Sequence, residues 1–439
     1  MNPDQGDEAR PLVVAIEDCP SVEAGQCSPK NHARDAHILS SSFFFIFCAY
    51  GAAQNLESTV NTEGDLGTTS MGILYTSFTL FSVVASPVVR GLGTKRALVL
   101  STTGYLLFIA SNLKPSWYTM VPASLYLGFT ASIIWVSQGT YLTSAARSHA
   151  RDCHLHEGTV IGNFNGEFWG MFASTQVVGN LISFFLLGDG KEGENTNLLF
   201  TVFLGCMILG AALMCFLSKR DEKTESLPGH ASVNNLLKSV IAPLLEIRIW
   251  LIIPLFAYSG LEQAFVWAEF TKHVVTPALG VSGVGGAMAV FGAADAICSV
   301  VAGRLTSGLT SVTRIVAGGA FLQTLVLLWL LFGYSLSSGI LGTVYPLVMA
   351  AMWAAMWGVG DGVFNTQLNA LLGMLFERDT EAVFAQLKLW QSGAIAVVFF
   401  LSPYISLQAM LIIMVAAIFV ALFGFLYLTL HVERSSDEH

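Results

Sequence analysis

Twelve stretches of about twenty mostly apolar residues follow one another along this chain, and they leave few ways to fold it. They fall near 38–58, 68–89, 97–113, 119–143, 164–187, 198–218, 249–270, 281–302, 314–334, 340–361, 382–402 and 406–430. A helix of about 20 residues crosses the hydrocarbon of a bilayer, and a segment in lipid must satisfy its backbone internally. The expected class is therefore an all-α polytopic membrane protein with the bilayer as its solvent. Charge usage agrees: 12% of residues are charged and 54% are hydrophobic, too little charge to cover a water-soluble surface of this size. The 30 Phe and 41 Gly suit helices packed closely in lipid.

The longest internal polar stretch, 219–248, contains Asp221, Glu222, Lys223 and the breaker Pro228-Gly229, and it divides the spans six and six. The expected plan is a disordered cytoplasmic tail over 1–37, a first six-helix half over 38–218 and a cytoplasmic central loop over 219–248. A second half over 249–430 and a short cytoplasmic tail over 431–439 complete it. Basic residues resist translocation. With the N-terminus inside, all but Lys114, Lys191 and Lys272 of the 21 Lys and Arg lie in cytoplasmic segments, so both termini are expected there. The tail lacks the basic stretch that precedes an apolar signal core, so no cleaved signal peptide is expected. None of the seven Cys falls in a segment placed outside, and no Asn-x-Ser/Thr sequon occurs, so neither an extracellular disulfide nor N-glycosylation is expected. A net charge of −9 gives no basic footprint for nucleic acid.

The halves repeat one another. Ser82-Val-Val-Ala85 near the end of span 2 matches Ser299-Val-Val-Ala302 of span 8. Ala49-Tyr50 followed by Gln54-Asn55 matches Ala257-Tyr258 followed by Glu262-Gln263. Gln138-Gly139 matches Asp361-Gly362, and Glu167 two before Trp169 matches Lys388 two before Trp390. The offsets lie between 208 and 223 residues and the order is kept. Six spans per repeat give both repeats the same orientation, which is the parallel two-half plan of the major facilitator fold, with a site between the halves near the midplane.

Polar side chains inside such helices cost free energy, at least ~2.5–3.5 kcal/mol for a charge at the centre, so each needs a reason. Spans 1 and 7 line the central cavity in this architecture. Gln54, Asn55, Glu57, Tyr258, Glu262 and Gln263 are therefore expected to form one polar cluster on the outer side, contacting a cation or substrate or else fixing the packing of the halves. Asp295 lies mid-span in the Gly-rich helix 8 and joins these candidates, with a structural ion pair as the alternative. Glu269 is placed at the outer interface. On the inner side, the repeat-related Glu167 and Lys388, with Gln138 and Asp361, are candidates for a gate that latches the halves, solvation at the interface being the alternative; Asp361 is placed near the cytoplasmic end of its span. Arg147, His149, Arg151, Cys153, His154 and His156 crowd one loop. That spacing is not a structural zinc pattern, and the loop is read as solvated and basic. No metal or cofactor is expected. No Walker loop, nucleophile elbow or zinc-protease helix occurs, and Gly283-x-Gly285-Gly286 lies in an apolar helix rather than after a strand, so no enzyme is expected.

Several motifs carry a resemblance. Ala53-Gln-Asn-Leu-Glu-Ser-Thr-Val-Asn61, Gly93-Thr-Lys-Arg96, Lys114-Pro-Ser-Trp-Tyr118, Ile134-Trp-Val-Ser-Gln-Gly-Thr-Tyr-Leu-Thr143 and Gly179-Asn-Leu-Ile-Ser183 make the chain resemble the unc-93 family, most of all the plant unc-93-like proteins. The resemblance spans all twelve windows. It implies a major-facilitator-type fold and regulation of potassium channels or potassium homeostasis, with a channel or other membrane protein as partner and the plasma membrane as the favoured location. Two alternatives stand beside it: a cation- or proton-coupled secondary transporter of the facilitator type, and a trafficking escort for other membrane proteins. Facilitator transporters usually carry an acidic residue in the loop after span 2. Here Arg90 holds that position beside Gly93, Lys95 and Arg96, so the usual charge relay to a neighbouring helix end cannot form in its usual way.

Overall fold

The computed structural model describes residues 30–60, 66–187, 192–220, 242–279, 281–333, 344–377, 379–401 and 404–432. Twelve long helices account for nearly all of them. In the first half these are α1 (Lys30–Val60), α2 (Leu66–Leu92), α3 (Thr94–Ser111), α4 (Trp117–Asp152), α5 (Glu157–Leu187) and α6 (Glu192–Cys215). In the second they are α7 (Ile247–Ala264, continued through Phe265–Val275 and Thr276–Leu279), α8 (Val281–Leu305), α9 (Leu309–Gly333), α10 (Val344–Leu375), α11 (Thr380–Leu401) and α12 (Leu407–Tyr427, extended by Leu428–Val432). Among the described residues nine of these helices are long and apolar enough to cross a membrane.

Two apolar cores lie mainly one in each half, the second reaching across to Ala85, Val89 and Val136 of the first. One joins Leu39, Phe43, Phe47, Phe108, Trp135, Phe168 and Phe203; the other joins Phe256, Phe265, Phe291, Trp357, Phe364 and Met414. The halves meet chiefly through α5 on α8 and α2 on α11. The repeat relates these two contacts, because α2 corresponds to α8 and α5 to α11. At the α5–α8 crossing a Cβ on Gly166 would lie 2.7 Å from Gly303 Cα, and one on Gly162 would lie 2.8 Å from Gly303 O. Only hydrogen fits there, which is how small residues let membrane helices approach. Gly93, at φ 77°, makes the tight turn between α2 and α3.

Several helix boundaries differ from expectation, three of them with consequences for the site. α1 begins at Lys30, so 30–37 belong to a helix rather than to a disordered tail. Asp35 is fully buried there and pairs with Arg220 at 3.1 Å, while the Arg220 guanidinium lies 5.1 Å from the centre of the Tyr141 ring. A buried charge with its partner fixes this first turn against the end of the first half, which hydropathy does not register. α4 and α10 run well past the windows 119–143 and 340–361. The extension of α10 is almost wholly buried and includes Asn365, Thr366, Gln367 and Asn369, and that of α4 is buried at Ala145, Ala146, His149 and Ala150, so protein packing rather than lipid holds them helical. The loop read as solvated and basic is correspondingly reduced: Arg147, His149 and Arg151 lie in the last turns of α4, and Cys153 is disulfide-bonded. Residues 1–29, 221–241 and 433–439, which hold the rest of the expected tails and most of the central loop, lie outside the described residues.

Candidate functional site

The extension of α10 changes the place of Asp361. It sits in the middle of a helix running Val344–Leu375, buried, and not near a cytoplasmic end. Gln263 of α7 donates to Asp361 Oδ1 at 3.1 Å, and Asn365, one turn on, donates to the same oxygen at 2.8 Å. Asp295 of α8, also buried, faces Asp361 and accepts from Ser299 Oγ at 3.0 Å. Glu262 of α7 is fully buried beside Asp361, Asp295 and Gln323, yet neither of its oxygens reaches hydrogen-bond geometry with them. Tyr258, one turn before Glu262, donates to Gln323 Oε1 of α9 at 2.6 Å. Three carboxyl groups from α7, α8 and α10 thus converge inside the second half. In so dry a place they need compensating protons or a cation.

This geometry brings Tyr258, Glu262, Gln263, Asp295 and Asp361 together and leaves Gln54 out. Gln54 donates to the Tyr75 hydroxyl of α2 at 2.7 Å, within its own half. The expected cluster across spans 1 and 7 is therefore replaced by one enclosed by α7, α8, α9 and α10, because Glu262 turns toward α8–α10 instead of toward α1. Asn55 and Glu57 lie in the last turns of α1, and their side chains are outside the described residues. Glu269 is buried against protein as well, and its Oε2 lies 3.4 Å from His273 Nε2. Both residues sit in the π-helical stretch Phe265–Val275 that follows the cluster. Extra residues inserted in a helix this way recur at functional positions.

The proposed gate residues also separate. Glu167 pairs with His37 of α1. Lys388 of α11 is buried and donates to Gln391 Oε1 at 2.8 Å. Its ammonium lies 4.6 Å from the ring centre of Trp135 in α4 and 5.6 Å from that of Trp169 in α5. Those two rings stack at 5.8 Å. The contact between the halves made by Lys388 is therefore a cation over aromatic faces, an attraction that strengthens when desolvated, and not a bridge to Glu167. Gln138, the repeat mate of Asp361, is fully buried with neither amide atom hydrogen-bonded. The two repeats place one polar residue at equivalent depth and surround it differently.

A further inter-half connection escaped the sequence reading. Arg90, in the position facilitators usually give to an acid, pairs with Asp379 at 2.7 Å on the turn between α10 and α11 and with Glu381 at 3.4 Å in the first turn of α11. Arg147 donates to the Gly373 carbonyl at 2.6 Å and the Glu377 carbonyl at 3.3 Å on the same turn, and pairs with Glu157 at 3.0 Å. These contacts hold the two halves together at the end of the molecule rich in basic residues. The signal for them was Asp379-Thr-Glu381, an acid pair in an otherwise basic set of loops. Among the described residues no group of three or more His, Cys, Asp or Glu is arranged to hold a metal ion.

Known proteins with similar sequences and folds agree with this architecture. A family model described as "Ion channel regulatory protein UNC-93" matches residues 59–426. The Arabidopsis thaliana protein "UNC93-like protein 3" is 63% identical over 418 residues, covering 93% of this chain and 88% of that one. Human "Protein unc-93 homolog A" is 31% identical over 421 residues, covering 88% and 90%. The Caenorhabditis elegans protein named "Putative potassium channel regulatory protein unc-93" is 30% identical over 430 residues, covering 89% of this chain and 60% of its own length. Among solved structures, the human organic anion transporter MFSD10 superposes with a TM-score of 0.67 at 12% identity, covering 90% of this chain and 99% of that one. The E. coli fucose:proton symporter FucP gives 0.64 at 11% identity with the same coverage, so the fold is that of the major facilitator superfamily.

Proposed function

The chain belongs to the UNC-93 family, and on that footing we propose that it regulates potassium channel activity or potassium balance from within the membrane. The observation that carries this reading is the match of the ion channel regulatory family across residues 59–426, the greater part of both halves. The geometry supplies a means. Two half-bundles, joined at one end by Arg90 and Arg147 and across their centre by Lys388 on Trp135 and Trp169, can present different lateral faces to a partner as they rock. The carboxyl cluster of Glu262, Asp295 and Asp361 gives that motion a chemical input, because a proton among them changes the charge the second half must bury. We place both termini in the cytoplasm and the protein in the plasma membrane, with the partner an integral membrane protein. The test pairs two measurements: potassium current in cells with and without the protein, and flux from potassium-gradient vesicles holding the purified protein alone. Current should change in the first and no flux should appear in the second. Flux from the protein alone overturns the regulator reading.

That outcome would favour a second reading, a cation- or proton-coupled carrier. It is supported by the same three carboxyl groups meeting on α7, α8 and α10, a pattern suited to a coupling ion. Replacing Glu262→Gln and Asp295→Asn would then abolish flux while the protein still reaches the membrane.

A further inference from the structure

One groove lies apart from the carboxyl cluster and from the contacts of Arg90, Arg147 and Lys388. It runs along the outer side of the α5–α8 crossing, encloses about 570 Å³, and is lined by Asn163, Glu167, Gly170, Met171 and Ser174 on α5 and by Ala296, Ile297, Val300, Val301 and Arg304 on α8. Its size is that of a small-molecule site. Its walls are mostly aliphatic, and its rim residues Ile297 and Val301 are 68% and 48% exposed on the outside of a bundle that crosses the bilayer. An occupant arriving from water would have to pass through lipid to reach these side chains, whereas one already in the leaflet meets them directly.

The two charges of the groove differ in availability. The Glu167 carboxylate is already held by His37. Arg304, in the last turn of α8, is exposed and has no ion pair or hydrogen bond among the described residues. The Gly303–Gly162 contact places this end of α8 beside the first turns of α5, so Arg304 stands at the basic-rich end of the groove, where the apolar span Val284–Leu305 ends. The aliphatic residues continue from it toward the membrane centre, one helical turn at a time: Val301 and Val300, then Ile297 and Ala296. A guanidinium with no partner among the described residues, followed by an apolar furrow, complements a phosphate followed by a hydrocarbon chain.

We propose that this groove holds an anionic glycerophospholipid, its phosphate on Arg304 and one acyl chain along Val301, Val300, Ile297 and Met171. The site does not depend on the regulator reading. A lipid seated there touches the α5–α8 contact, one of the two seams along which the halves meet, so its presence bears on how the halves move.

The experiment is native mass spectrometry of the full-length protein in detergent, saturated separately with phosphatidylglycerol and with phosphatidylcholine. Wild type should retain phosphatidylglycerol in preference. Arg304→Gln should lower that retention about fivefold, the equivalent of ~1 kcal/mol for one basic residue near an anionic headgroup. Val301→Trp, which fills the furrow from its exposed rim, should lower retention of both lipids. Arg314→Gln, an exposed cation on α9 outside the groove, should change neither. A tenfold excess of glycerol phosphate, a headgroup without chains, should not compete. Unchanged retention in Arg304→Gln, an equal loss in Arg314→Gln, or full displacement by glycerol phosphate would each overturn the proposal. Melting curves of all three variants, which alter exposed residues, should match wild type; retention lost only together with the fold would also count against the site.

Discussion

The two halves share a plan of six helices and are filled in opposite ways. The first is packed with rings: Trp135 lies within 5.1 to 5.8 Å, centre to centre, of Phe43, Phe47, Trp169 and Phe172, and Tyr50, Tyr105 and Phe108 continue the stack. The second holds Tyr258, Glu262, Gln263, Asp295, Gln323, Asp361 and Asn365 at its middle; hydrogen bonds join Tyr258 to Gln323 and both Gln263 and Asn365 to Asp361, and Glu262 and Asp295 lie beside them. Aromatic packing is tolerant and contributes through area and ring geometry. A buried carboxyl cluster costs free energy and is sensitive to one proton or one ion. The comparison assigns rigidity to the first half and responsiveness to the second. Lys388 connects them: it is anchored to Gln391 in the second half and lies over the rings of the first.

The largest effect should come from the rings. Trp135→Ala removes four ring contacts and the inter-half cation–π contact together, and should cost about 3–5 kcal/mol, the usual range for a buried aromatic truncated to Ala. Thermal unfolding in detergent would read it, with Trp135→Phe restoring part of the loss. A shift no larger than that of a lipid-facing substitution would end the claim that the first half is the rigid one. Asp361→Asn comes next and tests the other side. The amide keeps an oxygen for Gln263 and Asn365, and hydrogen bonds between membrane helices average ~0.6 kcal/mol, so stability should fall by under about 1 kcal/mol. The potassium-current effect, by contrast, should be lost. Destabilisation as large as that of Trp135→Ala would make the cluster a structural network and remove the contrast.

How much of this could be read from the chain follows the kind of force involved. Burial in lipid is local in sequence, so the twelve windows were legible, as was the repeat through Ser82-Val-Val-Ala85 and Ser299-Val-Val-Ala302. Identity of site residues was legible in part: Tyr258, Glu262, Gln263, Asp295 and Asp361 stood out as polar residues in apolar helices. Their company was not. Which way Glu262 turns depends on the rotation of α7 against α8–α10, which the sequence of one helix does not declare. Asp361 was placed at a helix end because hydropathy falls after it, although Asn365, Thr366, Gln367 and Asn369 are buried against protein rather than exposed to water. Arg90 and Lys388 were visible as charges, but their partners lie nearly 300 and more than 200 residues away, beyond any local pattern.

The smallest effect tests what joins the halves. Arg90 is partly exposed and Asp379 largely so, and such pairs contribute only about 0.2–1 kcal/mol. Arg90→Gln should therefore barely move the melting temperature. Its consequence should lie in geometry. Spin labels at Leu92, in the last turn of α2, and at Glu377, on the turn beside Asp379, report the separation of the halves at their basic end, and both positions are exposed. Wild type should give one narrow distance. Arg90→Gln should broaden it, and Glu381→Gln in the same chain should add little, because each variant removes the same contact. An additive effect would mean that Arg90 and Glu381 act separately. No broadening at all would leave Arg147, bound to main-chain carbonyls that no substitution removes, as the group that holds this end closed. In the facilitator plan an acid in the α2–α3 turn usually makes this connection. Here the signs are reversed, with the cation in the first half and the acids in the second, so the latch would strengthen or loosen with the charge of Asp379 and Glu381.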